Sequence, residues 1–82
     1  MDYVARTPHQ LGQVLKSCRQ NRRLTQAAVG SKVGIRQSQI SAIEGHGAKA
    51  TVETLYKMLS ALGLELVLRD LESAPDSATS EW

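Results

Sequence analysis

Eighty-two residues suffice for one small domain, and 41% hydrophobic content with only Tyr3, Tyr56 and Trp82 as aromatics limits the core to Leu, Ile, Val and Ala, so association with a second copy is expected. The single cysteine, Cys18, excludes an internal disulfide; no apolar run approaches the ~20 residues of a membrane span; and no charged-then-apolar signal pattern occurs, so a cytoplasmic chain without a membrane partner is expected. The net charge of +2 hides an asymmetry: residues 1–69 hold all ten Lys and Arg against four acids, a charge of +6, whereas residues 70–82 hold four acids and no base, so a basic body suited to a polyanion carries an acidic tail.

Residues 1–6 show little pattern beyond a short arm. Thr7-Pro8 followed by Gln10 reads as a helix start, with a hydroxyl cap, a proline where the missing N–H is harmless and a glutamine able to reach back. Leu11, Val14, Leu15 and Cys18 follow at helical spacing, which predicts a first helix from Pro8 to about Asn21 with Lys16, Arg19 and Gln20 on its outer face and Arg22 and Arg23 at its exit. Thr25 then caps a second helix, Gln26 to Val33, stopped by Gly34. A third helix is predicted from about Gln37 to Glu44, with its stop at Gly45, and His46 to Ala50 reads as loop. Thr51 opens a fourth helix, where Val52, Leu55, Tyr56, Leu59 and Leu62 form the expected apolar stripe and Gly63 closes it.

From Leu64 to Arg69 the period changes to alternation, which argues for a strand. No second strand of comparable quality exists in the sequence, so the expected partner is the same segment of another copy, with Leu64, Leu66, Val67 and Leu68 building a two-fold homodimer. The domain is therefore expected over 1–70, followed by a disordered acidic tail over 71–82.

The stretch from Gln26 to Gly45 is the most informative part of the sequence. Val29, Val33, Ile35, Ile40 and Ile43 fall where two short helices joined by a glycine turn would bury them, with small Ala28 and Gly30 where backbones approach. That pattern is a helix-turn-helix, whose second helix enters the major groove of DNA. With the isoleucines inward, Arg36, Gln37, Ser38, Gln39 and Ser41 face out at one end of a helix about 12 Å long, against a groove about 12 Å wide. Arg36 suits a guanine edge and Gln37 an adenine, so these two lead the base-reading set, with Ser38, Gln39 and Ser41 beside them. Thr25, Gln26, Lys32, Lys49, Arg22 and Arg23 are the candidate phosphate contacts, since the first two open a helix whose N-terminus attracts anions and the rest are flanking cations.

No catalytic or metal chemistry is legible. Cys18 lies on the apolar stripe of the first helix, His9 and His46 lack ligand-spaced partners, and Gly45 and Gly47 do not form a phosphate loop; no enzyme activity, metal, cofactor or small-molecule substrate is expected. Trp82 has two readings, an incidental residue or an aromatic anchor carried on a flexible tail into a partner's pocket.

The four-helix body with TQAAVGSKVGIRQSQISAIEG resembles the phage-repressor-like helix-turn-helix group (Xre), and the leucine-alternating strand with the acidic tail ending Glu81-Trp82 is similar to the HipB-type antitoxins of HipA/HipB toxin–antitoxin systems. The resemblance, over residues 8–82, implies a mainly α, four- to five-helix lambda-repressor-like domain plus one short C-terminal β-strand paired across a homodimer. It further implies binding to palindromic double-stranded operator DNA, repression of the protein's own operon, and neutralisation of a HipA-like serine/threonine kinase toxin contacted by Glu81 and Trp82. Gln26 would brace Gln37, as glutamines do in phage repressors. Arg36 departs from the group, standing where many relatives have a serine cap. The alternative is a plain helix-turn-helix repressor with no toxin partner.

Overall fold

The computed structural model describes residues 1–46 and 50–71. Among them are four helices: α1 (Pro8–Asn21), α2 (Gln26–Val33), α3 (Gln37–His46) and α4 (Val52–Ala61).

Each helix begins on a local device. Thr7 Oγ1 accepts the Gln10 N–H at 3.1 Å, and Gln10 Oε1 reaches back to accept the Arg6 N–H at 2.7 Å, one residue before the cap itself. α2 and α4 open on Thr25 and Thr51, whose hydroxyls accept from the N–H groups of Ala28 (3.0 Å) and Thr54 (3.1 Å). At the start of α3 the Arg36 N–H donates to Gln39 Oε1 at 3.2 Å, the back-reaching half of a capping box, while the forward bond that a serine hydroxyl at position 36 would accept has no counterpart in an arginine side chain.

The helix ends are equally local. α1 closes with Arg23 at φ +57 while the Leu24 N–H donates to the Arg19 carbonyl at 3.1 Å and the Arg23 N–H to that of Gln20 at 2.9 Å, a Schellman stop built on a non-glycine residue. α2 stops at Gly34, φ +74, and the chain turns so tightly that a Cβ on Gly30 would run into the Ile35 carbonyl oxygen. α3 runs two residues past its expected end: Gly45 and His46 are helical, because Gly45 keeps negative φ and the stop it was expected to supply is not used. α4 ends at Ala61 with Leu62 as cap and Gly63 at φ +70.

Leu15 and Cys18 of α1, Val29 of α2, Ile35 of the turn, Ile40 and Ile43 of α3, and Met58, Leu59 and Leu62 at α4 form one buried cluster. The expected stripe on α4 needs correction: Val52 is 70% and Tyr56 51% exposed, and Met58 takes the buried place. Residues 64–71 form no strand with any described part of the chain. They lie opposite the N-terminal arm across a groove of about 580 Å³, with Arg69 Nη2 3.7 Å from Asp2 Oδ2. Leu64 is half-buried there, whereas Leu66, Val67 and Leu68 are exposed, Leu68 at 90%. Among the described residues no helix is long and apolar enough to cross a membrane. The 71–82 tail, apart from Leu71, lies outside the described residues.

Candidate nucleic-acid interface

The α2–turn–α3 unit presents one side of α3 to solvent. Ile40, Ile43 and Glu44 point inward, and Arg36, Gln37, Ser38, Gln39 and Ser41 are all exposed, gathered at the N-terminal end of the helix. Arg36 carries its guanidinium on the residue just before the helix, at the corner of the turn. Gln39 is less free than the others, because its carboxamide oxygen holds the Arg36 N–H.

The N-terminus of α2 opens on the same side. No acid stands in the first turn of α2 or of α3, so the partial positive charge of both helix ends is uncompensated within those turns. Thr25 uses its oxygen lone pair as the cap and keeps its O–H to donate. Lys32 in the last turn of α2 and Arg22 and Arg23 at the end of α1 are exposed. Arg22 also folds one Nη back to the Cys18 carbonyl at 3.4 Å. Lys49, Glu81 and Trp82 lie outside the described residues.

A polar network connects this surface to the interior. Arg19, expected on the outer face of α1, is instead turned inward and half-buried: its Nε donates to Glu44 Oε2 at 2.6 Å, its Nη2 to Glu44 Oε1 at 3.1 Å and its Nη1 to the Leu24 carbonyl at 2.7 Å. The two side chains are 11% and 3% exposed. Gln26 Nε2 also donates to Glu44 Oε1 at 3.1 Å, and Gln37 Nε2 donates to Gln26 Oε1 at 3.4 Å. Among the described residues no buried side-chain polar atom lacks a partner.

Glu44 is the residue that reading the sequence missed. The signal was present: Glu44 lies four residues after Ile40 and one after Ile43, on the inward side of α3, and Arg19 lies four after Leu15 on that of α1. An acid on one apolar face and a base on another must pair or pay desolvation.

One titration is perturbed at the edge of the domain. Contact with the Cys18 thiol, first as a hydrogen bond and then as a charge, raises the Tyr3 phenol above its ordinary value of 10.0, with desolvation adding and Arg22 opposing.

The HTH_3 helix-turn-helix family matches residues 15–68, which contain the whole of α2, α3 and α4. Antitoxin HipB of Escherichia coli strain K12 is 33% identical over 75 residues, covering 92% of this chain and 85% of that protein. The chain belongs to the HipB antitoxin family. Solved structures of HipB agree in shape. A HipB variant in an O2 20mer complex superposes with a TM-score of 0.81 at 34% identity, covering 87% of this chain and 99% of that one. HipB in a HipA–HipB–O2–O3 complex gives 0.80 at 33% identity, covering 85% and 99%. The exposed face of α3 is thus carried by a fold shared with HipB over nearly the full length of the solved chains.

Proposed function

We propose that this chain is an antitoxin and autorepressor: a homodimer binds palindromic operator DNA in the cytoplasm, represses its own operon, and binds and neutralises a HipA-like serine/threonine kinase, with no enzymatic activity of its own. The observation that carries the DNA-binding part is the α3 face. Five exposed residues without a negative charge are gathered at one helix end, beside a second helix end with no acid in its first turn. In this reading Arg36 and Gln37 read bases, with Ser38, Ser41 and Gln39 beside them. Thr25, Gln26, Lys32, Lys49, Arg22 and Arg23 hold phosphates. Leu64, Leu66, Val67 and Leu68 pair the two copies, and Trp82 with Glu81 engages the kinase. Solved complexes of HipB with 20mers and with HipA support both partners.

Two measurements test it. An electrophoretic shift on DNA upstream of the gene is expected with the wild-type chain and is expected to be lost with Arg36→Ala. Co-expression with a neighbouring kinase is expected to yield a complex that disappears when Trp82 is deleted; retained DNA binding with no kinase complex would reduce the protein to a plain helix-turn-helix repressor.

A further inference from the structure

We propose that Glu44 is a positioning residue for base recognition: its buried carboxylate dictates which way round the carboxamides of Gln26 and Gln37 face, and so makes Gln37 select adenine over guanine. The inference rests on the reading of Gln37 as a base-contacting residue.

A carboxylate accepts hydrogen bonds and a guanidinium only donates them. Both Glu44 oxygens are engaged by Arg19, at 2.6 and 3.1 Å, and Oε1 takes a further bond from Gln26 at 3.1 Å. Gln26 therefore has no choice of orientation. Its NH2 must face Glu44, which turns its oxygen outward. That oxygen in turn accepts only, so Gln37, 3.4 Å away, must offer it the NH2. One N–H of Gln37 is consumed, and its oxygen and second N–H remain for a ligand.

An oxygen beside an N–H is the complement of the adenine edge, where N6 donates and N7 accepts. Were Gln26 free to reverse, Gln37 could turn its oxygen inward and present two N–H groups outward, the complement of guanine with acceptors at O6 and N7. The buried charge thus acts on specificity through two amides, without touching DNA. The arrangement is held because Arg19 and Glu44 are locked between α1 and α3, with side chains 11% and 3% exposed.

The test uses the full-length chain and a duplex selected by the wild-type protein from a random-sequence pool, with the adenine at the Gln37 step replaced by guanine in a second duplex. Wild type is expected to prefer adenine about tenfold or more. Glu44→Gln, which can offer Gln26 either an oxygen or an NH2, is expected to bring the two duplexes within about twofold of each other, with affinity for a scrambled duplex unchanged. The paired replacement Arg19→Met with Glu44→Leu removes both charges together, a change buried ion pairs often tolerate, and guards against the first variant failing to fold. It is expected to show the same collapse of the ratio with thermal unfolding retained. A merely structural role would weaken all duplexes alike and leave the ratio intact. If either folded variant keeps the wild-type ratio while Gln37→Ala abolishes it, the positioning role is overturned and base reading stands. If Gln37→Ala leaves the ratio unchanged, base reading by Gln37 fails and the inference falls with it.

Discussion

Gln37 and Lys32 are both exposed polar residues of the helix-turn-helix, yet their expected contributions differ in kind. Replacing Gln37 with Ala should cost about 1–3 kcal/mol per half-site and relax preference at one base step, because an amide pairs with a base edge in two places. Replacing Lys32 with Ala should weaken binding to all sequences alike and lower the salt slope by about 1, since a lysine at a phosphate only displaces counterions. Binding isotherms on matched and mismatched duplexes at several salt concentrations separate the two. Tyr3 gives a different kind of test. Its phenol is raised above 10.0 by the Cys18 thiol, so the neutral form is the one favoured in the folded chain. That contribution is fully present below pH about 10 and is lost as pH rises through the raised value. Titrating phenolate absorbance in a Tyr56→Phe background should therefore show Tyr3 ionising later than in the unfolded chain, with the delay removed by Cys18→Ala. Such individual contacts are the least legible part of a sequence. The outward set on α3 follows from where three isoleucines must point. Arg19 is marked only by its spacing, four residues after Leu15, and the packing of α1 on α3 is what turns that position inward.

At the scale of elements, most of the helix boundaries were written locally, in Thr7, Thr25, Thr51, Gly34 and Gly63, because caps and left-handed stops depend on a handful of adjacent residues. Two features were not. Gly45 was expected to end α3 but is helical, since a glycine permits a left-handed stop without imposing one. On α4 the inward stripe is Leu55, Met58, Leu59 and Leu62 at helical spacing, and Val52 and Tyr56 fall beyond its edge, Val52 also in the first turn where its side chain tilts toward the helix N-terminus. The helix-turn-helix itself hinges on the approach of α2 to the turn. A methyl group at Gly30 would meet the Ile35 carbonyl oxygen, a backbone atom that can yield only by opening the turn. Gly30→Ala should therefore destabilise the chain by about 1–3 kcal/mol, as overpacking does, measured by urea unfolding. It should also weaken DNA binding more than that loss alone predicts, because α3 would be displaced relative to α2.

The whole molecule is where one chain is insufficient. Residues 64–71 expose Leu66, Val67, Leu68 and Leu71 at 45%, 66%, 90% and 47%, beside an arm that exposes Val4 at 59%, an apolar edge a small domain gains by covering. The alternation in the sequence is legible as a strand, but a strand needs a ladder partner, and none occurs among the described residues of this chain. A second copy related by a two-fold axis would supply it and place two α3 helices on one side of the pair. Half-sites would then lie about 34–36 Å apart, one turn of DNA, and a palindrome would be read twice. Leu66→Asp puts a charge on the proposed seam without touching the buried cluster. The variant should retain its helical signal and thermal unfolding as a monomer, elute at half the wild-type mass in light scattering, and lose the steep two-half-site affinity while still binding single half-sites weakly. Elution as a dimer would remove residues 64–69 from the interface and return the question of what covers this edge to the arm and α4.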